Sequence, residues 1–206
     1  MDITEIIAHQ HAEQRRMFAM LEEWPRADDQ GLGAVWKRLA ILLETHAEAE
    51  EKYFYPEVLR LGTGSADAES VKEEVTDAIK DHNEIRKAIR KVGRCKTGSA
   101  AWWTAVTDAN VYNSKHMGEE ERQDLADFRQ QSTLELRHEI AVAFIRYEST
   151  TAARGIKPTD KAPKRYVATR EGATKSAIAE RAARKKAAPT KKAASKKASA
   201  EASASD

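Results

Sequence analysis

The stretch Glu44-Thr45-His46-Ala47-Glu48-Ala49-Glu50-Glu51 sets a histidine four residues before a glutamate, and Lys115-His116-Met117-Gly118-Glu119-Glu120-Glu121 repeats the pattern seventy residues later. On an α-helix, residues four apart stand one above the other on the same face. His46 with Glu50, and His116 with Glu120, can therefore each offer an imidazole nitrogen and a carboxylate oxygen to one point in space. Two more histidines, His11 and His82, fall in separate stretches of helical periodicity. Four histidines and two glutamates on four helices are the donor inventory of a two-metal site inside a helix bundle.

All six lie on apolar stripes. Ile3, Ile7, His11, Gln14, Phe18 and Leu21 recur at steps of three and four, as do Trp36, Leu39, Leu43, His46, Glu50 and Tyr53. Val71, Val75, Ala78, His82, Ile85 and Ile89 form a third stripe, and Trp102, Val106, Ala109, Asn113, His116 and Glu120 a fourth. Such stripes face the core. A carboxylate there costs several kcal/mol unless it is paired or coordinated. One inward histidine would be read as a satisfied core residue; six donors on four stripes call for a cation. By the same periodicity His9 is a surface residue, Glu51 and Glu121 are off the seam and solvated, and Tyr53 is a core residue with a ligand or supporting role left open; His138, followed at four by Val142 rather than an acid, is structural or exposed.

The rest of the chain fits an all-α protein. Helices are predicted over residues 2–24, ended by Trp24-Pro25, from about Ala34 into Tyr53, with Pro56 kinking or ending it, over roughly 66–92 with Ser65 as cap, and from Ala100 to about Glu121. A fifth apolar pattern runs from about Leu125 to Thr151. The fold expected is an up-down four-helix bundle with an extra C-terminal helix, spanning 1–154, followed by a disordered basic tail, 155–206, whose run Lys185–Lys197 has almost nothing to bury. The net charge of +2 conceals this division: residues 155–206 carry 14 Lys+Arg against 5 Asp+Glu, a balance of +9, and residues 1–154 carry 21 against 28, a balance of −7. Spaced lysines can neutralise phosphates, so weak nucleic-acid contact stands beside a merely solubilising role for the tail. A single cysteine, Cys95, an acidic N-terminus and the lack of a long apolar run predict a cytoplasmic protein that no membrane holds. Trp102 and Trp103 point about 100° apart on a helix, which predicts a homodimer burying Trp103.

Imidazole with carboxylate suits iron, zinc or manganese. A mononuclear zinc site takes about four ligands and would leave two buried donors idle. Two metals, which the glutamates can bridge, account for the whole set, and two irons suit a histidine-rich, redox-capable pair best. At this point the chain resembles the hemerythrin-like, or HHE cation-binding, domain, over residues 1 to about 122, on His11, His46-x-x-x-Glu50, His82 and His116-x-x-x-Glu120, with Met17-Phe18 and the run Glu50-Glu51 to Tyr55-Pro56 in support. The resemblance implies a non-haem di-iron centre that binds oxygen, nitric oxide or peroxide.

The pattern departs from oxygen-carrying hemerythrins, which have a histidine where Arg86 follows His82 by four and an aspartate where Glu120 stands. One histidine fewer favours sensing, detoxification or catalase-like peroxide turnover over reversible carriage. Arg86 has two readings: a guanidinium turned inward that favours anionic peroxide, or, as periodicity prefers, a residue on the wet face. Ferritin-like oxidases use Glu-x-x-His and more carboxylates, which this histidine-rich order does not match.

Overall fold

In a computed structural model of the chain, residues 1–64 and 70–187 are described, and every regular element among them is helical. In order these are α1 (Ile3–Glu23), α2 (Asp29–Ala49), a π-helical turn (Glu50–Phe54), α3 (Tyr55–Leu61), α4 (Val71–Val92), α5 (Ala100–Arg122), α6 (Asp124–Gln131), α7 (Leu134–Arg154) and α8 (Pro163–Ala187). Side chains written into the sequence start five of them. Asp2, Asp28, Ser70, Ser99 and Thr133 accept hydrogen bonds from the orphaned backbone N–H groups of α1, α2, α4, α5 and α7. The cap expected at Ser65 lies outside the described residues; Ser70 does that work. Helix α2 begins five residues earlier than predicted because Asp28 caps it and Gly31 is needed inside it. A Cβ at Gly31 would run into the Asp28 carboxylate and the Trp24 indole.

Helices α1, α2, α4 and α5 make the up-down bundle, and α7 lies against α1 and α2. Two apolar layers occupy it. One gathers Ile3, Ile7, Phe54, Ile79, Phe128 and Phe144; the other gathers Phe18, Leu39, Leu43, Ile85, Trp102 and Val106. Each fully buried large apolar side chain contributes about 1.5–3 kcal/mol. The predicted donors fall between the layers: His11 between Ile7 and Phe18, His46 between Leu43 and Ala49, His82 between Ile79 and Ile85. The stripes thus place one polar stratum across the middle of the bundle.

The chain divides into two compact units, Met1–Glu171 and Gly172–Asp206. A tail starting at Gly155 was expected; instead α8 carries Tyr166 and Val167 into the first apolar layer, so the folded unit runs on to Glu171. Two apolar residues set in a lysine- and alanine-rich run were too few to register as a stripe. Residues 188–206 lie outside the described residues. No described helix is long and apolar enough to cross a membrane. Trp102 is buried beneath Trp103, and Trp103 is half-buried with the Arg26 guanidinium 3.5 Å from its ring centre, so part of the face assigned to a dimer is covered from within the chain.

Candidate metal centre

The six predicted donors converge, all of them buried. They form two groups, His11, His46, Glu50 and Glu120, and Glu50, His82 and His116, in each of which one donor atom per residue lies within 4.8 Å of the others. Glu50 belongs to both. Its Oε1 is 2.8 Å from His46 Nε2, and its Oε2 is 3.2 Å from His82 Nε2 and 4.0 Å from His116 Nε2. Glu120 Oε2 lies 3.2 Å from His11 Nε2 and 3.9 Å from His116 Nε2.

The faces turned away from this centre fix the imidazoles. His11 Nδ1 is 2.9 Å from Glu121 Oε1, His46 Nδ1 is 2.6 Å from Gln10 Oε1, and His82 Nδ1 is 2.9 Å from Glu51 Oε1. Gln10 donates through Nε2 to Glu148 at 2.6 Å, which assigns its oxygen to His46. Three acceptors on three Nδ1 atoms put the protons there and leave lone pairs on Nε2. Yet His11 Nε2 and His46 Nε2 face each other at 3.2 Å, and His82 Nε2 and His116 Nε2 at 3.1 Å. For His11 and His46, two lone pairs at that distance repel unless a cation or a proton lies between them; for the other pair, the His82 lone pair takes either a proton from His116 or a shared cation. Neither oxygen of Glu50, nor Oε2 of Glu120, has a hydrogen-bond partner. Buried acceptors so arranged fit a cation.

Electrostatics follow from this crowding. Burial, then Glu120, pushes the Glu50 carboxyl well above its usual range. Burial acts the same way on Glu120, but the His11 imidazole 3.2 Å from its Oε2 and the other nearby imidazoles win and hold it low. Burial, then His82, brings His116 down to about 3, and burial with His11 holds His46 well below its ordinary value. Burial also lowers His11, but Glu120 and Glu121 more than offset it and raise the group.

Several supporting residues depart from the sequence reading. Glu51 is fully buried and Glu121 partly so, each holding a histidine of another helix. Arg86, 1% exposed, is neither solvated nor aimed at the centre: its Nη2 lies 2.7 Å from Glu51 Oε1 and 3.3 Å from Glu48 Oε1, behind His82. The tyrosine at the centre is Tyr55, whose hydroxyl donates to Glu120 Oε1 at 2.9 Å; Tyr53 instead packs on Tyr147. The π-helical turn causes the exchange, because the Tyr55 N–H reaches back five residues to the Glu50 carbonyl and winds the register past Tyr53. His9 is exposed, as predicted, and His138, read as structural or exposed, is exposed.

The repeated Glu-Glu doublet, Glu50-Glu51 and Glu120-Glu121, was the available signal for the outer carboxylates: each copy supplies a donor and then a residue that holds a histidine across the bundle. Gln10 and the π-helical turn carried none. The model of the hemerythrin HHE cation binding domain matches residues 2–128. A solved hemerythrin HHE cation binding domain-containing protein from Mycobacterium kansasii shares the fold with a TM-score of 0.60 at 17% identity, covering 81% of this chain and 98% of that one. No curated protein matches. With the family model spanning more than half of its length, the chain belongs to the hemerythrin HHE cation-binding domain family.

Proposed function

We propose that the chain is a non-haem di-iron protein in which His11, His46, Glu50, His82, His116 and Glu120 hold two iron ions that bind or react with oxygen, nitric oxide or hydrogen peroxide. Glu50 carries the reading: it is fully buried, shared by both donor groups, and has no hydrogen bond on either oxygen. Six donors exceed what one zinc takes, and imidazole with carboxylate suits a redox-capable first-row metal. Bound there, a pair of irons supplies electron transfer to and from a small ligand.

The side chains of the chain itself orient, hold protons and admit the ligand. Gln10, Glu51 and Glu121 keep Nδ1 protonated on three histidines, so each Nε2 remains free to coordinate. Burial, then Glu120 and Glu50, raises the Tyr55 phenol well above its ordinary value, so it keeps its proton and donates it to Glu120. A cleft of about 820 Å³, walled by α4, α5, the start of α6 and Lys164 of α8, has His116 and Glu120 in its lining, and its volume exceeds that of a diatomic gas or peroxide. Asp124 stands on its wall with a carboxyl that burial and then Glu120 hold well above the usual range.

The test is anaerobic mixing of iron-loaded protein with each ligand while near-ultraviolet absorption and dissolved oxygen are followed. A spectral response, with oxygen evolved from peroxide, is expected, and Glu50→Ala should abolish it along with iron. Iron-loaded protein that answers none of the three ligands would contradict the proposal. A stable, repeatedly reversible oxygen adduct that ignores peroxide would assign carriage instead. The +9 balance of residues 155–206 supports a second reading, nucleic-acid association through the tail with the bundle as scaffold or regulator. Equal DNA retention at low salt by the full chain and by one ending at Glu171 would remove it.

A further inference from the structure

The histidine least like the others in its support is His82. Its Nδ1 rests on Glu51 Oε1, and that oxygen also takes Arg86 Nη2 at 2.7 Å. The other carboxylate oxygen, Glu51 Oε2, is held by Lys161 Nζ, which also lies 2.8 Å from Glu48 Oε1. Two acids and two cations thus form a closed network behind one imidazole, with Glu51 and Arg86 almost wholly out of solvent. Lys161 comes from the connection between α7 and α8, beyond residue 128 where the family match ends.

That connection is fastened at several points. Asn83, next to His82, brackets the Lys161 backbone, its Nδ2 donating to the Lys161 carbonyl at 2.9 Å and its Oδ1 accepting from the Lys161 N–H at 3.2 Å. Asp160 accepts from both terminal nitrogens of Arg90, at 3.1 and 2.9 Å. Tyr166, at the start of α8, donates its hydroxyl to the Glu51 carbonyl and buries its ring in the first apolar layer. Chain from outside the bundle is therefore built onto α4 and the π-helical turn at the residues that support His82.

We infer that the strap Asp160–Tyr166 is a working part of the metal centre, in which Lys161 is a positioning residue that sets Glu51, and through it His82, for coordination. This rests on the metal-binding reading above. Without Lys161, one oxygen of a buried carboxylate loses its cation, and the carboxylate turns toward the charges that remain, Arg86 above all. That turn weakens its hold on His82 Nδ1, and loss of such a support costs metal affinity about 10–100-fold. The loss should fall on the metal nearer His82 and His116 and spare the one among His11, His46 and Glu120.

Full-length wild type, Lys161→Met and Lys161→Arg, loaded anaerobically with ferrous iron, are to be challenged with a chelator while iron release and melting temperature are recorded. Wild type should release its two irons slowly. Lys161→Met should release one iron at least about 10-fold faster and the other at the wild-type rate, and Lys161→Arg should restore the slow release. Arg90→Gln, which cuts the strap at Asp160 without touching Glu51, is the control for loosening alone and should leave release unchanged. Two irons released from Lys161→Met at wild-type rates, or both accelerated equally and equally in Arg90→Gln, would overturn the inference. Wild type that binds no iron would overturn the metal reading itself, which separates the two failures.

Discussion

Glu50→Gln should move stability in opposite directions with and without iron. In the metal-free protein Glu50 is a fully buried carboxyl whose two oxygens lack hydrogen bonds. Burial and Glu120 raise it well above the usual carboxylate range. The sign follows directly: a raised acid costs nothing below its unfolded value, and its penalty grows as pH rises from there toward the folded value. At neutral pH the metal-free fold therefore bears the cost. An amide of the same shape removes it and can donate to the facing imidazole nitrogen, relieving about 1–2 kcal/mol. For a chain of this size that raises the melting temperature by about 2–8 °C. With iron at about 100 times its dissociation constant, wild type gains about 2.7 kcal/mol, or about 5–10 °C, which the variant, short of a ligand in both groups, should forgo. The assay is thermal unfolding by circular dichroism, metal-free and with ferrous iron, at neutral pH and near pH 4, where the variant's metal-free advantage should shrink. A variant less stable without metal, yet stabilised by iron as much as wild type, would refute the reasoning.

His46→Ala and His116→Ala should each lose iron and melt lower when loaded, whereas His9→Ala and His138→Ala, both exposed, should stay within about 0.5 kcal/mol of wild type; elemental analysis and calorimetry check this. Acid should release iron between about pH 6 and pH 4, because free imidazole protonates near 6.5. In the metal-free fold His116, brought down to about 3, works against stability over the same span, its contribution being present above its unfolded value and lost as pH falls toward the folded one, while Glu50 works the other way, so His116→Gln should flatten the acid limb. Full iron content after dialysis near pH 4 would point to carboxylates as the dominant ligands. Tyr55→Phe leaves Glu120 Oε1 without its donor and should cost about 1–3 kcal/mol in metal-free urea unfolding; an unchanged midpoint would deny the Tyr55 hydroxyl its role.

The inward placement of the six residues was legible because helical spacing is a strong signal: each of the four stripes puts its histidine where apolar neighbours must go, and the folded chain buries all six and brings them together. What lay one residue off a stripe was not. Glu51 and Arg86 look solvated by periodicity, but each is buried because the other is there, a pairing across α4 and the π-helical turn that no local pattern announces. Tyr55 was hidden by a change of winding, since an α-helical register through Pro56 puts Tyr53 on the site face. Lys161 and Tyr166 sat in the stretch 155–206, read as a basic tail from its overall composition, and two contacts outweighed that average.

Iron content tests the central claim most directly. Full-length protein expressed with ample iron and freed of loosely held metal should carry two irons per chain, with near-ultraviolet absorption from iron bound to oxygen ligands. Less than one iron per chain, or zinc in its place at one per chain, would contradict a di-iron centre built on His11, His46, Glu50, His82, His116 and Glu120.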